Sequence, residues 1–165
     1  MSRPAGRYRN TCTPRLRSTE REKMHMHRDI IERLLYEEED EAKRAEMIRS
    51  FDDEDLYVYA YNYNWDDGFD EPRAIAENPD CSLSTALLLF ERAEGFEAIE
   101  DEGDDEYMQP WRDFGRYMYD RLIHRDFKEP KIRYGTPGAA DDISPDDPER
   151  IFYEYFDGKD CDIDL

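Results

Sequence analysis

Three carboxylates crowd one glycine in this chain: Asp66, Asp67 and Asp70 surround Gly68 in the run from Trp65 to Asp70. Several oxygens gathered on one turn are what Ca²⁺ or Mg²⁺ asks for. These three are therefore the candidate metal ligands, and with a bound cation the candidate centre of a metal-assisted hydrolase. The spacing lacks the alternating acidic register and the closing glutamate of an EF-hand loop. The same side chains also form turns and cap helices by accepting backbone N–H bonds, and that is the favoured role. No residue is assigned a catalytic role, and no cofactor is implied.

The other reactive side chains are scattered. His25 and His27 flank Met26, so on a helix they point to different faces, whereas a metal pair would sit at i and i+4. His124 stands alone, and a surface position is expected for all three. Cys12, Cys81 and Cys161 are odd in number, far apart and without a CxxC pair, which argues against a zinc site or a disulfide framework. Cys81 has no neighbouring histidine to activate it and reads as a small buried hydrophobe. The chain has no G-x-S-x-G elbow, no P-loop and no dinucleotide-binding glycine pattern. Two carboxylates brought together by folding could still do acid–base work, but 43 acidic residues leave the pair unchosen.

That acidity is uneven. Residues 1–28 hold eight Arg/Lys and two Asp/Glu, a net of +6; the remaining 15 basic and 41 acidic residues give −26, and together these make the net charge of −20. Such a body repels nucleic acid and anionic membranes and attracts basic protein surfaces. Only the N-terminal arm could touch a phosphate backbone. Arginine outnumbers lysine 18 to 5, which also suits a GC-rich or halophilic source whose acidity serves only solubility. No apolar run approaches the ~20 residues of a membrane span, and the N-terminus lacks the apolar region of a secretory signal. A cytoplasmic location is expected.

These side chains must be placed by a folded body, because 12 Tyr, 8 Phe and 2 Trp among 165 residues are too many for a disordered chain. Residues 1–17 carry five arginines, Pro4, Gly6 and Pro14 and read as a flexible basic arm. Thr19 and Glu22 suggest a capping box for one long helix, or two joined helices, over about 19–49. Residues 55–64 are ambiguous: Tyr57, Tyr59, Tyr61 and Tyr63 alternate like a strand, while Leu56, Tyr59, Ala60 and Tyr63 share a helix face. Pro72 suits a helix start, with Asp70 or Glu71 as cap, and that helix ends before Asn78-Pro79. Asp80 or Ser82 then caps an apolar helix through Leu83, Leu87 and Phe90, with Gly95 as its C-cap. Pro110 opens another, on which Trp111, Phe114, Met118 and Leu122 repeat. Lys131–Tyr134 reads as strand-like, and Ser144 with Pro145 as the cap of a short last helix. One core is expected from Trp65, Phe69, Ile75, Leu83, Leu87, Phe90, Trp111, Phe114 and Met118, since the 81–94 helix is apolar over too wide an arc to lie on the surface.

Several of these residues carry a resemblance. Tyr63, Asn64, Trp65, Asp66, Asp67, Gly68 and Phe69, then Pro72, then Asn78, Pro79 and Cys81, then Thr85, Ala86, Leu87 and Phe90, then Gly95-Phe96 resemble the hallmark of a bacterial family catalogued as a domain of unknown function. The likeness covers about residues 53–127. Ser82-Leu83-Ser84 departs from it, because the family tends to place an acid just after the cysteine. The resemblance implies a small all-helical domain, and so a helix over 53–63 despite the tyrosine alternation. It brings no catalytic assignment, and it leaves room for a role in toxin neutralisation.

The expected architecture is all-α or mainly α: a compact bundle of about five to six helices with one short strand-like segment near 131–134. Its organisation is a basic arm over 1–17, a helical domain over 18–128, and a C-terminal strand, loop and short helix over 129–165 that pack on it. The leading functional reading is a non-enzymatic acidic interaction domain, in its sharpest form an immunity-type protein that neutralises a basic partner. The alternatives are the metal-assisted hydrolase at Asp66, Asp67 and Asp70, and a purely structural or regulatory helical domain.

Overall fold

The structure is a computed structural model that describes residues 18–165, with side chains described from residue 27 onward. The basic arm, Cys12, His25 and the side chains of Thr19 and Glu22 lie outside the described residues. The described residues are mainly helical: α1 (Ser18–Tyr36), α2 (Glu41–Arg49), α3 (Asp53–Asn62), α4 (Asp70–Glu77), α5 (Leu83–Arg92), α6 (Gly95–Glu100) and α7 (Gln109–Ile123). Short 3₁₀ turns form at Trp65–Asp67, Glu106–Met108 and Pro148–Tyr153. These are more helices than the five to six expected. The acidic run after Tyr36 splits the first segment, where Asp40 caps α2 by accepting from the Ala42 and Lys43 N–H groups. α6 is a helix of its own.

The tyrosine alternation yields to a helix. Asp52 caps α3 through the Glu54 and Asp55 N–H groups. Leu56, Tyr57, Val58, Tyr59 and Ala60 are then all buried, because α1, α4 and α5 enclose α3. A helix covered on several sides tolerates apolar residues all round, so a period of two in the tyrosines carries no strand signal here.

α5 is the central helix, and all eight residues from Leu83 to Phe90 are buried. Its cap differs from the one expected. The Ser82 side chain makes no capping bond, and Asp80 instead pairs with Lys128. Asp53, at the start of α3, reaches across and accepts from the Ser82 backbone N–H (3.1 Å) and the Thr85 hydroxyl (2.9 Å). A carboxylate carried by the first turn of α3 thus holds the start of α5, satisfying donors that would otherwise be orphaned.

Gly95 is the first residue of α6 rather than a C-cap. Glu94 takes the left-handed conformation instead, with φ 51°. A side chain at Gly95 would meet the Phe90 ring at 2.2 Å, so contact and not backbone freedom demands glycine there. Gly115 plays the same part between α6 and α7, where a Cβ would lie 2.6 Å from that of Ala98.

Ile75, Leu83, Leu87, Phe90, Phe114 and Met118 sit in one buried cluster, with Trp65 and Phe69 packed half-buried against it. Trp111 is a correction: it lies half-exposed outside that cluster. Its indole N–H donates to the Ala93 carbonyl at 2.7 Å, and that need for a polar partner holds the ring at the margin.

The strand-like reading near 131–134 fails. Among the described residues there is no strand, only isolated bridges, which pair Ser82 with Lys128, Ile132 with Lys159 and Tyr134 with Phe156. Ile132 instead joins the core, and the Ser84 hydroxyl donates to its carbonyl at 2.7 Å. Gly135, at φ 84°, bends the chain directly after Tyr134, so the pairing cannot extend. Asp147, not Ser144, caps the last 3₁₀ turn through the Glu149 N–H, and Ile151 from that turn is also buried.

Candidate functional site

The Asp66-Asp67-Gly68 turn is built by its neighbours. Asn64 accepts from the Asp66 N–H (3.3 Å) and donates to an Asp67 carboxylate oxygen (3.0 Å). The Tyr63 hydroxyl donates to the Gly68 carbonyl at 3.1 Å, and Gly68 supplies the φ of 97° that the turn requires. Asp66, Asp67 and Asp70 are exposed, and Asp70 opens α4. Trp65 and Phe69 work as aromatic anchors on Phe114, with ring centroids 6.3 and 5.2 Å away. Among the described residues, only Asp67 of these three carboxylates has an internal partner, the Asn64 amide; the expected capping role falls instead to Asn64, and neither Asp70 nor any other side chain caps α4.

A chemically richer neighbour lies beneath that turn. Glu71, expected as a helix cap, is 8% exposed and makes no capping bond. It accepts from Arg44 Nε at 2.5 Å and from the Tyr59 hydroxyl. Arg44 also donates to the Glu38 carbonyl at 2.6 Å. Burial opposes the charge on Arg44, but the hydrogen bond and charge of Glu71 hold its pKa above the ordinary value. Glu71, Arg44 and Tyr59, with Tyr63, Asn64 and Asp67, line a small cavity of about 70 Å³ that Leu34, Leu35 and Tyr36 of α1 also line. Sequence spacing gave no sign of this pair, because Arg44 lies 27 residues from Glu71.

The tyrosines carry a pH prediction. Burial first, then the Glu71 hydrogen bond, raises the pKa of Tyr59; burial raises Tyr63; and burial with the Glu91 hydrogen bond raises Tyr134. Burial pushes Tyr57 up to about 12, and a hydrogen bond to Glu149 pushes Tyr119 up to about 12. A group whose folded pKa is raised contributes stability that is complete below its unfolded pKa, about 10 for tyrosine, and is lost as pH climbs toward the folded value. The fold should therefore lose stability from about pH 10 upward. In a tyrosinate absorbance titration these five should ionise together with loss of helical circular dichroism. All 12 tyrosines titrating near pH 10 in a still-folded protein would refute this.

Other motif residues lie inside the fold. Asn78 is buried and donates to the carbonyls of Ile48 (2.8 Å) and Phe51 (3.3 Å), while accepting from the Asp80 N–H at 2.8 Å. It thereby ties the end of α2 to the turn through Pro79. Burial raises the Cys81 thiol pKa well above the ordinary range, which removes it as a nucleophile at neutral pH. Pro72, Ala86 and Leu87 are buried.

His27 is not a bare surface residue. Its Nδ1 lies 3.0 and 2.9 Å from the two oxygens of Asp55, and burial is the main cause raising the Asp55 pKa. With Asp52 these make the one group of potential metal-ligating atoms, all within 4.8 Å, found among the described residues. Asp52 already caps two N–H groups of α3, and the positive end of that helix opposes a cation.

A second concavity is formed by α5, the start of α6 and the C-terminal segment. It is a groove of about 620 Å³. Phe90, Phe96 and Phe152 line it in mutual contact, with centroids 4.8–5.1 Å apart. Exposed Glu91, Glu94 and Glu97 line it too. None of these three glutamates takes part in an ion pair among the described residues, although the Tyr134 hydroxyl donates to Glu91. No described helix is long and apolar enough to cross a membrane.

No curated protein and no solved structure matches the chain. Residues 52–123, from the cap of α3 to the end of α7, match the model of a family described as Domain of unknown function (DUF4274).

Proposed function

We propose that the chain is a non-enzymatic acidic interaction module that binds a basic protein, in its sharpest form an immunity-type protein neutralising a basic toxin. The observation that carries this reading is the aromatic groove edged by glutamates that have no internal cation, set in a body with a net charge of −26. Complementary charge accelerates encounter and excludes wrong partners. Aromatic side chains anchor the centre of interfaces. The groups with catalytic potential support the same conclusion: Cys81 is buried with a raised pKa, and Glu71 is spent on Arg44 and Tyr59. The cytoplasm is the proposed location.

The test is affinity capture from the source cell at low ionic strength, followed by kinetics with the purified partner. A protein of basic isoelectric point is expected, with an association rate that falls about tenfold or more from low to physiological salt, as steered encounters do. An association rate indifferent to salt, or no basic protein retained at low salt, would sink the reading.

A further inference from the structure

Aromatic rings elsewhere on this protein are covered by its own arginines. Arg73 lies 4.2 Å above the Tyr117 ring, Arg92 4.4 Å above Tyr61, and Arg121 4.2 Å above Phe127. The groove holds the other half of such an arrangement. It has three phenylalanine rings in contact and three exposed glutamates, but no described guanidinium lies over any of those rings. The basic side chains nearest in sequence are engaged elsewhere: Arg92 on Tyr61, Arg133 on Asp157 and Asp160, and Arg150 on the carbonyls of Ala140 and Ile143.

We propose that this groove takes an extended, arginine-bearing segment of the basic partner, with a guanidinium stacked on the Phe96 and Phe152 rings and hydrogen-bonded to Glu94 and Glu97. The proposal rests on the interaction reading and assigns it a place and a chemistry. Arginine is favoured over lysine because its planar, weakly hydrated head can stack on a ring and donate to two carboxylates at once, which a compact ammonium cannot.

The experiment is a fluorescence anisotropy titration at low salt with a short labelled peptide in which arginine alternates with glycine. Matched lysine and citrulline peptides run beside it. The double variant Glu94→Gln with Glu97→Gln should bind the arginine peptide about tenfold more weakly than the parent, the loss of a charge-assisted hydrogen bond or two. Glu102→Gln with Glu106→Gln removes the same charge from the exposed acidic loop and should change binding by no more than about twofold. The lysine peptide should bind several-fold more weakly than the arginine peptide, and the citrulline peptide weakest of all. Equal weakening in the two double variants would overturn the groove while leaving a diffuse, charge-driven interaction standing. Equal binding of the arginine and citrulline peptides, or no binding of the arginine peptide by the parent, would also overturn the groove; capture of the basic partner then decides the broader reading separately.

Discussion

Glu71→Ala is expected to destabilise the fold by about 3–5 kcal/mol, the usual effect of removing one partner from a buried charge pair. Glu71 is 8% exposed, and its carboxylate binds side chains from two other helices: Arg44 of α2 and Tyr59 of α3. Arg44 adds the Glu38 carbonyl, which lies between α1 and α2. Removing Glu71 strands a buried phenol and leaves a half-buried guanidinium with only the Glu38 carbonyl, and each group keeps its desolvation cost while losing its charged partner. The loss should appear as a lower urea midpoint with an unchanged slope. Glu71→Gln should cost less, because it still accepts a hydrogen bond. Combining Glu71→Ala with Arg44→Met should recover part of the loss, since the uncompensated charge is then gone. A Glu71→Ala protein that unfolds like the parent, or a double variant less stable than the single, would show that the pair does not hold these helices together.

The contrast between Glu71 and its neighbours shows which parts of the structure could be read from the sequence. Helices marked by wide apolar arcs, such as α5 and α7, were legible because burial of their faces follows from spacing alone. So was the break at Asn78-Pro79, where local chemistry stops a helix; over 19–49 the sequence left one helix or two open, and the structure has two. The helix at 53–62 was legible only through the family resemblance, because enclosure by three other helices removes the polar face that a period would reveal. Contacts across long stretches of chain were not legible. Asp53 serving as the cap of α5, Arg44 meeting Glu71, and His27 meeting Asp55 join residues 27–32 apart, and no local pattern distinguishes these acids from the others. The strand-like run at 131–134 misled for the same reason. Its β-favouring residues serve to place Ile132 in the core, and its pairing stops at single bridges. The groove was invisible too, because Phe152 comes from a segment about 60 residues beyond Phe90.

The second large effect is expected in α5, where neighbouring leucines should behave differently. Leu87→Ala falls within the range of about 2–5 kcal/mol typical of truncated core leucines, which is a large share of the 5–15 kcal/mol that holds a domain of this size together. Its position sets it in the lower half. Leu87 is 4% exposed and lines the groove, so truncation enlarges an open concavity that water can enter. Leu89 is fully buried and does not line the groove. Leu89→Ala leaves a sealed void whose lining loses its dispersion contacts outright, and so belongs in the upper half, at about 4–5 kcal/mol. Both variants keep the helix, since alanine is its best former. Chemical denaturation of the two proteins should therefore give a gap of about 1–2 kcal/mol in favour of Leu87→Ala. The reverse order would mean that the Leu87 site is sealed from solvent and the groove shallower than described. A Leu87→Ala protein as stable as its parent would remove α5 from the centre of the fold.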